Sequence, residues 1–258
     1  MTFLRTPKGY TLAVLLCLAS IAGFGAEQLV TWMHVTVFVG AAVLVDVALT
    51  MLLYRTMRVP DGAILTGLIL AMVLSPITPW YMSALFAAVS ILSKHLLKVG
   101  RKPIFNPAAV GLLIALISGS PQSWWGALPL LPAWTVTFLI AAGMLVAHRV
   151  NKLPLVFTFL GTYFGFLLSG GLLNLNGVGD AFRMPFVNAV LFLAFFMVTD
   201  PPTAPAKYED QALVGIVAGT TSALVLITIG GLWFLAAGLW VANAVRISPL
   251  RSETWTAL

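Results

Sequence analysis

The sequence predicts an all-α integral membrane protein of about ten transmembrane helices, in two inverted five-helix repeats with short or broken helices. Three observations predict this. Hydrophobic residues make up 60% of the 258 and charged residues only 9%, whereas a soluble domain carries about 25% charged. Apolar runs recur along the whole chain at close to the roughly 20 residues that a spanning helix needs. Counting those runs as spans also places nearly all of the basic residues on one side of the membrane.

The spans are read at 9–26, 33–54, 61–76, 79–97, 105–119, 132–148, 154–170, 184–200, 211–229 and 231–246. Short polar or Pro/Gly connections separate them. No polar stretch is long enough for a soluble domain, so 1–258 reads as one polytopic membrane domain with repeat halves near 1–125 and 126–258. The start has a second reading. Arg5 and Lys8 followed by LAVLLCLASIAGFGA also resemble a signal peptide, and cleavage there would leave nine spans.

Ten spans put both termini on one side. Of the 14 Lys and Arg residues, all but Arg183 then share that side. The positive-inside rule makes it the cytoplasm, with the protein in the cell's inner membrane. The net charge of +6 is therefore a topology signal and a contact for anionic lipid heads, not a nucleic-acid surface. Trp32, Trp80, Trp124, Trp125, Trp134 and Trp233 fall at predicted outer ends, where indole rings favour the interface. The single cysteine, Cys17, excludes an intrachain disulfide and a thiolate cage for zinc or an iron–sulfur cluster.

Within this frame, two stretches echo each other. AMVLSPITP (Ala71 to Pro79) ends span three, and FMVTDPPTAP (Phe196 to Pro205) ends span eight. At an offset of 125 residues, Met72 matches Met197, Val73 matches Val198, Pro76 matches Pro201 and Thr78 matches Thr203. Spans five apart in an alternating series run in opposite directions, which is the pattern of an inverted repeat. Proline at such an end leaves the carbonyls before it free. Spans three and five are also short. About 15 residues cover about 22 Å of a hydrocarbon core about 30 Å thick. Such spans are either broken helices lining a central site or short helices flanked by snorkelling side chains.

Candidate residues cluster near these breaks. Asp46 lies inside span two, where a charge costs about 2.5–3.5 kcal/mol. It is either part of an ion or proton relay or a neutral acid bonded to a neighbouring helix. Asp61 opens span three and reads as an N-cap or a site residue. Asp200, next to Thr199 and Thr203, closes span eight, where a carboxylate opposes the helix dipole and would be offset by a bound cation, Lys207 or another helix's N-terminus. Asn106 and Pro107 open span five as N-cap and first-turn residue, with free amides able to hold an anion or a cofactor's polar atoms. Lys94 lies near an inner helix end and either snorkels or joins the site. His34, His95 and His148 raise haem ligation, but the two that share a boundary sit among basic residues. There is no hydrolytic triad, phosphate loop, Rossmann fingerprint or metal-ligand set.

Four segments together resemble the RnfD/NqrB family of membrane redox-complex subunits. They are RVPDGAILTGLILAMVLSPITPWY (Arg58 to Tyr81), SKHLLKVGRKPIFNPAAVG (Ser93 to Gly111), FMVTDPPTAP and the closing ANAVRISPL (Ala242 to Leu250). Order and spacing match over nearly the whole chain. The resemblance implies ten helices in two inverted halves, flavin chemistry and membrane-coupled electron transfer. Larger members attach FMN covalently to a threonine in the loop after span five. Here that loop is SGSPQSWWGALPLLP (Ser118 to Pro132), which has no threonine.

The expectation is therefore an electron-transport subunit with a non-covalent flavin, FMN or riboflavin, and a coupled Na+ or H+ movement. Asp61, Lys94, Asn106, Pro107, Thr199, Asp200 and Thr203 would line the cofactor site, and Asp46 and Asp200 the ion path. Partner subunits would carry flavin or iron–sulfur clusters. The rival expectations are a stand-alone transporter or channel for a small solute such as a flavin, and a purely structural anchor for a redox partner.

Overall fold

The computed structural model describes residues 6–24, 28–57, 59–100, 102–175 and 178–247. Arg5, Arg58, Arg101 and Arg251 of the charge pattern, and 248–250 of the closing motif, lie outside them. Within the described residues the chain is an all-α membrane protein, and each expected span holds a helix. In chain order these are α1 (Pro7–Gly23), α2 (Gln28–Tyr54), α3 (Asp61–Val73), α4 (Trp80–Leu96), α5 (Pro107–Ile117), α6 (Thr135–Arg149) and α7 (Leu153–Leu172). A four-residue turn, α8 (Val178–Ala181), precedes α9 (Met184–Phe192), α10 (Tyr208–Thr228) and α11 (Trp233–Ile247). Among the described residues, three helices are long and apolar enough to cross a membrane by themselves: Leu29–Tyr54, Leu153–Leu172 and Tyr208–Thr228. A small antiparallel hairpin, β1 (Lys98–Val99) with β2 (Lys102–Pro103), links α4 to α5.

The short helices are shorter than the sequence suggests. α3 has 13 residues and ends at Val73, because Leu74 is extended (φ −80°, ψ 152°). α5 has 11. After α9 the chain widens into a π-turn, Leu193–Met197, a feature frequent at functional sites. α6 accommodates it with Gly143, where a methyl group would lie 2.2 Å from the Phe195 ring.

Two packing arrangements recur along the chain, α4 on α2 and α5, and α10 on α7 and α11. α2 also lies against α3. The α4–α5 and α10–α11 contacts each need a glycine. A methyl on Gly111 of α5 would sit 2.0 Å from Ser90 Oγ and 3.0 Å from Phe86 O of α4. One on Gly238 of α11 would sit 1.9 Å from Ser222 Oγ and 2.7 Å from Ala218 O of α10. In a membrane such backbone-close packing replaces the hydrophobic drive. α1 is built into the core through the fully buried Leu15, Leu18 and Ala19.

Two tryptophans correct the interfacial reading. Trp32, Trp80, Trp134 and Trp233 are exposed, but Trp124 and Trp125 are buried at 2% and 8%. Trp124 meets Phe192 edge-on, and the Trp125 indole donates to Ala71 O at 2.6 Å. They are core residues of the loop after α5.

Candidate functional site

The chain breaks after α3 and after α9 because proline lacks the N–H that an α-helix needs. Pro201 cannot serve the carbonyl of Met197. The Asn106 side-chain amide does so instead, at 3.0 Å, while Asn106 Oδ1 caps α5 by accepting from Ala109 N at 3.2 Å. Pro107 follows at the first helical position. The N-cap reading of Asn106 is therefore right, and the residue also joins α5 to the second break.

Beyond the break, residues 200–204 form a tight turn in which Ala204 N donates to Asp200 O at 2.8 Å. Two carbonyls in and just after this turn are bound by buried cations. Arg246 Nη1 donates to Pro202 O at 3.0 Å, and the buried Lys152 donates to Pro205 O. Burial holds the Lys152 ammonium below the usual lysine range, and Lys102 adds a smaller repulsion. Thr199 donates its hydroxyl back to Phe195 O. Thr203 Oγ1 donates to Asp200 Oδ2 at 2.9 Å, so it shapes the carboxylate from behind.

In front of this turn lies a cavity of ≈ 720 Å³. Asp46, Asp61, Lys94, Asn106, Pro107, Thr199 and Asp200 all line it. Seven of the eight sequence candidates thus meet in one place, from α2, α3, α4, α5 and the second break. Thr203 alone is behind the wall.

Two of the three carboxylates in the cavity are ion-paired. Asp46 Oδ1 accepts from Lys94 Nζ at 2.9 Å and meets His95 Nε2 at 2.7 Å. Asp46 is thus ion-paired rather than a lone neutral acid, and Lys94 is held by it rather than snorkelling to water. Lys8 of α1 pairs with Asp61, its Nζ 3.1 and 3.0 Å from the two carboxylate oxygens. The N-cap reading of Asp61 needs correction. Pro60 is the N-cap, and Asp61 is the first helical residue, where Oδ1 accepts from Gly62 N at 2.7 Å. A carboxylate still suits that end of the helix dipole. The third carboxylate, Asp200, is held by the Thr203 hydroxyl rather than by a cation in direct contact.

Sequence reasoning missed the partners. Lys8 and Arg246 were read as topology charges, and Lys98 too, which lines the cavity and lies 5.0 Å over the Tyr54 ring. His95 was weighed for haem; it is spent on Asp46. His34 packs edge-on against Phe38, and His148 is exposed. The one sequence clue to Arg246 was a guanidinium at the very end of an apolar span.

Fold and site together define a helical membrane protein with a charged cavity set between broken helices. The chain belongs to the NQR2, RnfD, RnfE family, whose model matches residues 8–127 and 130–234. The resemblance read from the four motifs is thereby borne out. Among curated relatives, a subunit of an ion-translocating oxidoreductase complex from Yersinia enterocolitica is 45% identical over 74 residues, 27% of this chain and 21% of the relative. One of the same description from Salmonella arizonae is 33% identical over 120 residues, 46% and 29% of the two chains. A subunit of a proton-translocating ferredoxin:NAD(+) oxidoreductase complex from Clostridium ljungdahlii is 26% identical over 234 residues, 72% and 71%. The chain thus spans under a third of the first two relatives' length.

Proposed function

We propose that this chain is an integral membrane subunit of an ion-translocating electron-transport complex, and that its cavity holds a flavin without a covalent bond. The observation that carries the reading is the meeting of Asp46, Asp61, Lys94, Asn106 and Asp200 in one cavity of a chain from this family. Membership and the relatives' descriptions support the complex and its redox partners; the cavity supports the cofactor.

The cavity suits a flavin. Ligand pockets run from about 300 to 1,000 Å³, mostly apolar with a few placed polar groups. Here Tyr54, Phe196 and Leu65 supply apolar wall, and Lys8, Lys94, Lys98 and Asn106 supply donors for carbonyls, a ribityl chain or a phosphate. A bound flavin would supply acceptance and release of one or two electrons. The chain's own residues would bind and orient it, and the Asp46–Lys94–His95 cluster would hold a carboxylate ready for a coupled Na+ or H+. Covalent FMN is not expected in the 118–132 loop, which has no threonine and whose tryptophans are packed inward.

In this reading all ten helices are membrane spans in two inverted halves, with both termini in the cytoplasm and the protein in the inner membrane. The paired Gly–Ser contacts and the repeated proline breaks support the repeat, and the basic-residue asymmetry supports the orientation.

The test is an absorption spectrum of the gently purified protein before and after acid precipitation. Flavin released to the supernatant is the expected result. Flavin retained in the pellet would overturn the non-covalent assignment. A folded, full-length preparation without chromophore or copurifying partners, yet moving a solute in liposomes, would replace the redox subunit with a stand-alone transporter.

A further inference from the structure

Arg246 does not line the cavity, yet it touches two of the segments that do. Its Nη1 donates to Pro202 O at 3.0 Å. Its Nη2 donates to Pro103 O at 2.9 Å and to Ile104 O at 3.2 Å. Pro202 and Pro103 are both cavity-wall residues. Arg246 is 7% exposed and makes no ion pair among the described residues. A buried cation without a carboxylate in contact is costly, and three backbone carbonyls offset that cost. Pro103 closes β2, Ile104 follows it, and Pro202 lies in the turn after the second break.

We infer that Arg246 is a positioning residue of the cavity: one planar fork fastens the turn after Asp200 to the lead-in of α5 and, together with the Asn106–Met197 bond, holds the distance between Asp200 and Asn106. A guanidinium suits this because its donors diverge in a fixed plane and reach two segments at once. A lysine ammonium has three donors but no fixed plane and a shorter reach, so it holds the same carbonyls less rigidly. The inference goes beyond the proposed flavin site, because it concerns the wall whatever the cavity takes.

Lys152 provides the internal control. It is another buried cation on a carbonyl of the same turn, 7% exposed, but its acceptor, Pro205, is not part of the cavity wall. If cation-to-carbonyl bonds merely stabilise the fold, losing either should act alike. If Arg246 sets the wall, only its loss should open the cavity.

The experiment uses the full chain with Cys17→Ser, which removes the exposed native thiol, and Ala108→Cys, which places a reporter on the α5 side of the cavity. A small methanethiosulfonate reagent reads accessibility as a labelling rate. Arg246→Met is expected to raise that rate about tenfold and Lys152→Met to leave it within about twofold, the signature of local opening rather than global loosening. Arg246→Lys should fall between, and it carries the test if Arg246→Met does not fold. Equal rates in all variants, or equal acceleration by Arg246→Met and Lys152→Met, would overturn the assignment. Titrating FMN and riboflavin onto the same proteins reads the flavin proposal separately: a wild type that binds neither removes that proposal while the labelling result stands.

Discussion

The two proline breaks share sequence but not chemistry. After α3, the N–H of Ser75, which would serve Ala71 in a continuing helix, goes to Pro121 O at 3.0 Å. The Trp125 indole serves Ala71 instead, and Val73 O receives Ser123 N and Trp124 N at 3.0 and 2.9 Å. The donors to the α3 carbonyls are all neutral and come from the loop after α5. After α9, the donors are the Asn106 amide and two buried cations, Arg246 and Lys152. The first break carries no carboxylate; the second carries Asp200 and faces the cavity. Freed carbonyls are equivalent acceptors in both places. What the neighbouring segment presents decides whether the break is a quiet joint or one wall of a charged site.

Four substitutions would break or sharpen this contrast. The largest effect is expected from Asn106→Ala, which removes the α5 cap and the Met197 partner together. It should cost about 2–3 kcal/mol in detergent-solubilised stability and lower flavin occupancy as well. Trp125→Phe should cost about 1–2 kcal/mol by leaving Ala71 O without its donor, and should leave flavin occupancy unchanged. If Trp125→Phe also emptied the cavity, the two breaks would not be separable. Thr203→Val removes one bond to Asp200, which faces the cavity. About 1 kcal/mol is expected, with any coupled ion dependence shifted more than the unfolding midpoint. The smallest effect belongs to Lys8→Met. Its pair with Asp61 is 41% and 29% exposed, and exposed pairs contribute about 0–1 kcal/mol. A midpoint loss well above that would show that α1 is held to α3 mainly by this pair rather than by its buried leucines.

Much of the site was legible because its signals are local. Asn106-Pro107 is a helix start written in two residues, and the chain did start α5 there. Pro76 and Pro201 announced the breaks, since a missing N–H acts on the carbonyl four residues earlier. Asp46 stood out because nothing within its own helix can balance it. The partners were not legible. Lys94 and His95 reach Asp46 across 48 and 49 residues, and a basic residue at an inner helix end looks the same whether it snorkels or bridges. Trp124 and Trp125 misled because aromatic residues near a predicted interface and aromatic residues folded under a loop have the same sequence.

The sequence by itself determined the membrane class, the helix positions, the breaks and the family, because hydropathy, proline geometry and motif order are read along the chain. Only the tertiary structure decided that seven candidate residues share one cavity, that Asp46 and Asp61 are paired rather than free, and that Arg246 spans 143 residues to hold its wall. The physical reason is range. Helix formation and termination are settled within a few residues, whereas an ion pair or a guanidinium fork requires atoms within about 3–4 Å, and that proximity is set by how whole helices pack.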